Sequence, residues 1–319
     1  MKRVVLTGAT GFIGANLARR LLTDGHEVSV FLRPGCSFWR IEDIRGDLRV
    51  VDVDLQDEAG VAAALRQVRP DWIFNLAAHG AYPWQSELRA MLMTNVLGTV
   101  HLLEAAVATG FEAFVQTGTS SEYGAKDHSP PEAEWLEPNS HYAVTKASAT
   151  MFCRYTGQAT GLGVRTLRLY SVYGPWEEPT RLMPTLVMRG LAGELPGLVS
   201  PATARDYIYV DDVVDACLAA AAAPGQEPGA VYNVGTGRQT SLREVVELVR
   251  AEMGITAEPV WGSMAPRSWD TDVWVADSGQ IRAQLGWQPS HALPEGFRLL
   301  VGWLRGQPEI QKFYASFSR

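Results

Sequence analysis

The chain has 319 residues, 46% hydrophobic and 20% charged, enough apolar material for one large domain or two intimate ones. Its formal net charge of −7 offers no positive field to nucleic acid or an anionic membrane, so any anionic ligand must be held by local arginines. Cys36, Cys153 and Cys217 are scattered, with no C-x-x-C pair and no zinc-ligand set, which predicts a reduced, cytoplasmic protein without disulfides or metal.

Met1-Lys2-Arg3 runs directly into Val4-Val5-Leu6-Thr7, without the apolar stretch and cleavage site of a signal peptide. Three glycines three apart, Gly8, Gly11 and Gly14, follow this β-branched run, and an amphipathic segment over 15–22 leaves them. Strand, tight turn and helix are therefore predicted in succession. The glycines let the backbone approach a pyrophosphate, and the helix start, with Phe12 and Ile13, supplies free N–H groups and a positive dipole end. The spacing is a variant of G-x-G-x-x-G, and a purely structural glycine turn is the alternative.

Strands are then predicted over 26–32, 49–53, 72–76, 113–117 and 164–170, alternating with helices over 61–68, 88–108 and 141–157. The near-continuous apolar runs suit parallel strands buried on both faces. This rhythm predicts an α/β fold: a Rossmann-type doubly wound parallel sheet, with ligands beyond the carboxyl ends of the strands. Past Gly174-Pro175 prolines become frequent and the rhythm loosens into a smaller lid. A helix over 210–222 and a strand over 230–234 return to the sheet. Ser241 with Glu244 three residues later predicts a capping box at the next helix. The division expected is 1–175 plus 208–236 for the cofactor and 176–207 plus 237–319 for the substrate. No stretch reaches the ~18 to 20 uninterrupted apolar residues of a membrane span, including the alanine-rich 216–223.

Tyr142 and Lys146 lie four apart and share one face of the predicted 141–157 helix. An ammonium near a phenol favours the phenolate, which would make Tyr142 a proton donor and acceptor; an ordinary surface pair is the alternative. Thr119 follows the fifth strand, so the fold would bring its hydroxyl to the sheet edge that carries the glycine turn.

With these residues in place, the chain resembles the extended short-chain dehydrogenase/reductase family over nearly its whole length. The likeness is to nucleotide-sugar-modifying, NAD-dependent epimerase/dehydratase-like members, above all nucleoside-diphosphate 4-keto-6-deoxyhexose reductases. Gly8, Gly11 and Gly14 match the cofactor loop, Asp54-Leu55 the adenine-contacting pair, and Asn75-Leu76-Ala77-Ala78 the strand end under the cofactor. Asn95 with Gly98-Thr99 matches a further signature. Thr119, Tyr142 and Lys146 match the catalytic triad, which implies hydride transfer with Tyr142 as general acid/base and Lys146 also holding the nicotinamide ribose. Thr117 and Tyr170 are implied at the cofactor. In the lid, Leu182-Met183-Pro184, Arg205-Asp206-Tyr207, Asn233-Val234-Gly235-Thr236-Gly237 and Arg267 resemble nucleotide-sugar-binding segments. His79, Tyr82, Ser120, Ser171 and Arg181 are the remaining substrate-side candidates. A homodimer formed through the 88–108 and 141–157 helices is implied by the resemblance alone.

Arg205 and Arg267 also have a physical reason, since a nucleotide diphosphate needs charge-assisted, often bidentate donors; solvated surface arginines are the alternative. Ser171 stands where related epimerases often have asparagine. At the end of the second strand Leu32 replaces the acid that would bond the adenosine ribose of NAD. Arg33 follows, suited to a 2′-phosphate, with Arg40 available from the loop. NADP(H) is favoured on this ground, and NAD(H) with a solvent-facing Arg33 is the alternative.

Related 4,6-dehydratases carry an acid in the two positions after the threonine. Here those are Ser120 and Ser121, and Glu122 comes one place late, which disfavours dehydration and leaves Glu122 a structural role in the turn. In the loop His79-Gly80-Ala81-Tyr82-Pro83-Trp84, the aromatic rings either face a sugar or pack under the lid. His141 faces away from Tyr142, as a cap or surface residue. The leading expectation is NADPH-dependent reduction of the C4 ketone of a nucleotide-linked 4-keto-6-deoxyhexose. The second is a nucleotide-sugar 4-epimerase with tightly held NAD. A non-catalytic cofactor-binding regulator is a third reading, against which stands the retention of both Tyr142 and Lys146.

Overall fold

The computed structural model describes residues 1–317 other than 224, 226 and 265–271. Its first half alternates strand and helix: β1 (Arg3–Thr7), α1 (Phe12–Thr23), β2 (Glu27–Leu32), β3 (Arg49–Asp52), α2 (Glu58–Val68) and β4 (Trp72–Asn75). Next come α3 (Leu88–Met91), a π-helical segment (Leu92–Leu97), α4 (Gly98–Thr109), β5 (Ala113–Thr119), α5 (His141–Thr160), β6 (Val164–Leu169) and β7 (Ser171–Tyr173). The remainder comprises α6 (Leu182–Leu191), β8 (Ala204–Arg205), β9 (Tyr207–Tyr209), α7 (Val210–Ala222), β10 (Val231–Val234) and β11 (Thr240–Ser241). The chain closes with α8 (Leu242–Met253), α9 (Gly279–Leu285), α10 (Leu293–Arg305) and α11 (Pro308–Ala315).

Seven parallel strands form one sheet in the order β10-β6-β5-β4-β1-β2-β3. The apolar runs of β1 and β4 are buried because both sheet faces are covered. On one face Leu17 and Leu21 of α1 and Val213 and Cys217 of α7 join the core; on the other, Leu65 of α2, Leu102 of α4 and Cys153 of α5 do so. Strand order reverses between β1 and β4, so the crevice for a ligand opens at their carboxyl ends.

A third apolar cluster joins α6, α8 and α10 through Leu186, Val246 and Leu300. Two small sheets, β8 with β11 and β7 with β9, tie this part to the crevice. The expected Ser241–Glu244 capping box is present at α8.

The structure differs from expectation in two helices. The segment predicted as one regular helix over 88–108 contains the π-helical Leu92–Leu97, whose extra residue turns Asn95 inward, where it is buried. Helix α5 continues past Gly157 to Thr160, because that glycine serves a close approach to Gly229 and does not end the helix. The α3–α4 run of 22 residues is long and apolar enough, by length and composition, to cross a bilayer; it packs against α2 and α5.

Candidate active site

The glycine turn sits at the crevice. Gly8 has φ of +70°, and a Cβ there would lie 2.6 Å from the carbonyl carbon of Leu76; a Cβ on Gly14 would overlap the Gly8 carbonyl. Gly11 caps α1, and the first helical bond runs from Ala15 N–H to the Gly11 carbonyl, so the amides of Phe12, Ile13 and Gly14 have no intrahelical acceptor. A backbone cradle that no side chain could occupy, lined by open amides, fits a dinucleotide pyrophosphate.

Buried polar side chains fix the neighbouring strand ends. The Thr7 hydroxyl donates to Asn75 at 2.6 Å and accepts from the Ala77 amide at 3.1 Å, while the Asn75 amide donates to Thr99 and Gln116. Thr117 donates to the Asn75 carbonyl. Asn95 holds both the N–H and the C=O of His79 at 2.8 Å and also donates to Thr145 of α5. Leu76, Ala77 and Ala78 are thus delivered to the cradle by side chains of three elements. Leu55 is buried against Gly98, and the Asp54 carboxylate accepts from the Gln56 amide.

Thr119, Tyr142 and Lys146 converge at the same edge. Thr119 ends β5 and caps a short 3-10 turn, and its hydroxyl is close enough to Tyr142 to favour the phenolate. Ser140 caps α5, accepting from the Ala143 amide, which leaves His141 an exposed surface residue. The expected depression of the Tyr142 pKa is not found: burial pushes the phenol up, reinforced by Glu122 and Tyr82 and opposed by Arg181 and Thr119. Lys146 is directed to another acceptor. Its ammonium is buried and donates to the Thr117 carbonyl at 2.5 Å, and burial pushes it down to about 8. Helical spacing put the two side chains on one face but did not determine where the ammonium points.

Glu122 has no free carboxylate. Its Oε2 accepts from Arg168 at 2.8 Å, and its Oε1 accepts from the Thr119 amide at 2.9 Å and the Thr150 hydroxyl at 3.0 Å. It is the structural turn-holder that its register suggested.

On the substrate side, the buried Ser120 accepts a bond from the Trp274 indole N–H at 3.1 Å, and the Arg205 guanidinium lies 5.4 Å from that indole ring. Ser171 begins β7, opposite Tyr207, with its amide on the Asp206 carbonyl. Buried Asp206 accepts from Thr236, Gly237 and Ala276, which joins the two segments expected to bind a nucleotide sugar. Arg181 is exposed, and its charge acts on both Tyr142 and Tyr82. Tyr82 stacks on Trp84 at 4.9 Å, and the His79 ring reaches Glu87. Tyr170 is buried with its hydroxyl unpartnered among the described residues. Arg267 lies outside the described residues.

Arg33 is exposed just beyond β2, and Leu32 is buried. Arg40 does not assist it. The Arg40 guanidinium is buried and fully engaged, with the Trp176 and Thr10 carbonyls and the Glu178 carboxylate. Trp274, Glu177 and this use of Arg40 escaped sequence reading, because their partners are distant in the chain and no spacing marks them.

A model of the NAD dependent epimerase/dehydratase family matches residues 4–235. UDP-glucose 4-epimerase of Mycolicibacterium smegmatis is 32% identical over 96% of this chain and 100% of its own length. dTDP-glucose 4,6-dehydratase of Streptomyces griseus is 33% identical over 94% of this chain and 93% of its own. Among solved structures, UDP-glucose 4-epimerase of Thermotoga maritima with UDP-glucose superposes with a TM-score of 0.86 at 29% identity, covering 96% of this chain and 99% of that one. UDP-glucose 4-epimerase of Thermus thermophilus in complex with NAD gives 0.82 at 32% identity, covering 95% and 99%.

Proposed function

The chain belongs to the NAD-dependent epimerase/dehydratase family, and from that premise we propose that it is a nucleotide-sugar 4-epimerase. The observation that carries this reading within the family is the sealed Glu122. A dehydratase needs an acid beside the reacting carbons to expel water, and the carboxylate nearest Thr119 is consumed by Arg168, Thr150 and the Thr119 amide. Full-length likeness to UDP-glucose 4-epimerases supports the epimerase.

A nicotinamide dinucleotide, when bound, accepts and returns a hydride. The chain's own residues do the rest. Gly8, Gly11, Phe12, Ile13 and Gly14 hold the pyrophosphate; Asp54, Leu55, Leu76, Ala77, Ala78, Thr117 and Tyr170 line the remainder of the dinucleotide. Tyr142 removes and returns the proton of the sugar C4 hydroxyl, Thr119 orients that oxygen, and Lys146 holds the nicotinamide ribose and adds a positive charge that favours the phenolate. Arg205 and Arg267 hold the diphosphate, with His79, Tyr82, Ser120, Ser171 and Arg181 around the sugar. On this reading 1–175 plus 208–236 bind the cofactor and 176–207 plus 237–319 the nucleotide sugar.

NADPH-dependent 4-ketoreduction is the second reading, favoured by the exposed Arg33 beside a buried Leu32. The two differ in net redox change. Incubation with UDP-glucose should produce UDP-galactose without net change in nicotinamide oxidation state; stoichiometric NADPH consumption with a 4-keto-6-deoxy sugar nucleotide, and no epimer interconversion, would sink the epimerase.

A homodimer is part of the proposal. Leu88 and Leu92 of the α3 run and Val144, Met151, Phe152 and Tyr155 of the adjacent α5 are exposed, an apolar surface that a second copy would cover. Sedimentation should give twice the chain mass.

A further inference from the structure

Three loops meet beside the glycine turn, those that follow β2, β4 and β7. Arg40, from the first, is their junction. Its Nε donates to the Trp176 carbonyl at 2.7 Å, its Nη1 to the Thr10 carbonyl inside the turn at 3.3 Å, and its Nη2 to the Glu178 carboxylate at 3.0 Å. Only 8% of the Arg40 side chain and 14% of the Glu178 side chain are exposed. Arg19 of α1 reinforces the junction, lying 4.2 Å from the Trp176 ring and donating to the Arg40 carbonyl at 2.8 Å. Trp176 adopts φ of +67°, a conformation that costs a non-glycine residue energy and persists where surroundings impose it. Tyr82, from the loop after β4, is close enough to feel the charges of Arg40, Glu178 and Glu177.

We infer that Arg40 and Glu178 form a clasp that retains the bound dinucleotide, with Arg40 as a positioning residue that ties the glycine turn to the loop after β7. The inference rests on the reading of the Gly8–Gly14 cradle as a dinucleotide site. A guanidinium presents donors along several in-plane directions and can serve all three acceptors, whereas an ammonium is a point donor. Opening the loop after β7 breaks a buried, charge-assisted bond to Glu178 and the bond to the Trp176 carbonyl, and leaves the Arg40 guanidinium short of both acceptors. The clasp therefore slows release more than capture. Retention suits a reaction that returns its hydride to the same substrate.

The test is the dissociation rate of NADH, followed by its fluorescence after mixing the loaded full-length protein with excess NAD. Glu178→Gln keeps the shape and an acceptor but removes the charge; Arg40→Lys keeps the charge but not the fork. Each single substitution should speed release at least about tenfold, and the double variant should be no faster than the faster single, because both disable one unit. Release within about twofold of wild type in Glu178→Gln, or two effects that simply multiply, would overturn the clasp even if thermal stability falls. Failure of the unaltered protein to bind NADH or NADPH at all would instead overturn the dinucleotide reading of the cradle.

Discussion

Glu122 and Arg168 form an ion pair at 2.8 Å directly behind Thr119, with Glu122 wholly excluded from solvent and the Arg168 side chain 3% exposed. Arg168 is further bonded to the Tyr123 hydroxyl and the Glu132 carbonyl, so the pair is satisfied on both sides. Glu122→Ala would leave a buried guanidinium short of its counter-ion and should destabilise the protein by about 3–5 kcal/mol, read by urea unfolding. Glu122→Gln, correctly folded, should keep epimerase turnover within about tenfold of wild type, because the carboxylate moves no proton. A loss of several hundredfold without a stability change would restore Glu122 to the chemistry.

Tyr142→Phe should lower kcat by about 100- to 10,000-fold while leaving the unfolding curve and dinucleotide affinity close to wild type. The hydroxyl lost is the one beside Thr119. Steady-state kinetics with UDP-glucose, alongside NADH titration, checks this; turnover at wild-type levels would remove Tyr142 from its role.

Glu177 should make stability depend on pH. It is buried, one carboxyl oxygen has no partner among the described residues, and burial raises its pKa from 4.5 to about 8. The folded protein therefore keeps a proton that the unfolded chain has already lost between those values. Stability should fall as pH rises from about 4.5 to about 8, by up to about 1.4 kcal/mol per pH unit, and this contribution should level off beyond. Arg181 lies 3.8 Å away but is half exposed and offsets little. Unfolding free energies between pH 5 and 8.5 should fall less steeply in Glu177→Gln; parallel slopes would refute the assignment.

Arg33 decides between the two cofactor readings. If a 2′-phosphate sits on it, Arg33→Ala should weaken NADPH by about 10- to 100-fold and spare NADH. If Arg33 only faces solvent, both affinities should stay put. Parallel fluorescence titrations with the two nucleotides give the answer.

Much of this molecule could be read from its chain because local chemistry and fold agree. The apolar runs of β1 and β4, the glycine spacing, the 210–222 helix and the Ser241–Glu244 box are short-range signals, each enforced by backbone geometry or by burial on both sheet faces. The π-helical segment was not readable, since the reason for it is Asn95 reaching His79 and Thr145, partners 16 and 50 residues away.

The sequence by itself determined the parallel sheet, the cradle at its crevice and the shared helical face of Tyr142 and Lys146, because glycine sterics and the 3.6-residue period leave few alternatives. Only the tertiary structure decided what the polar side chains do there. Lys146 turns to the Thr117 carbonyl, Glu122 is sealed by Arg168, and Arg40 is spent on Thr10, Trp176 and Glu178. A long charged side chain has many rotamers of similar energy, and its direction is chosen by the buried acceptor the fold brings within reach.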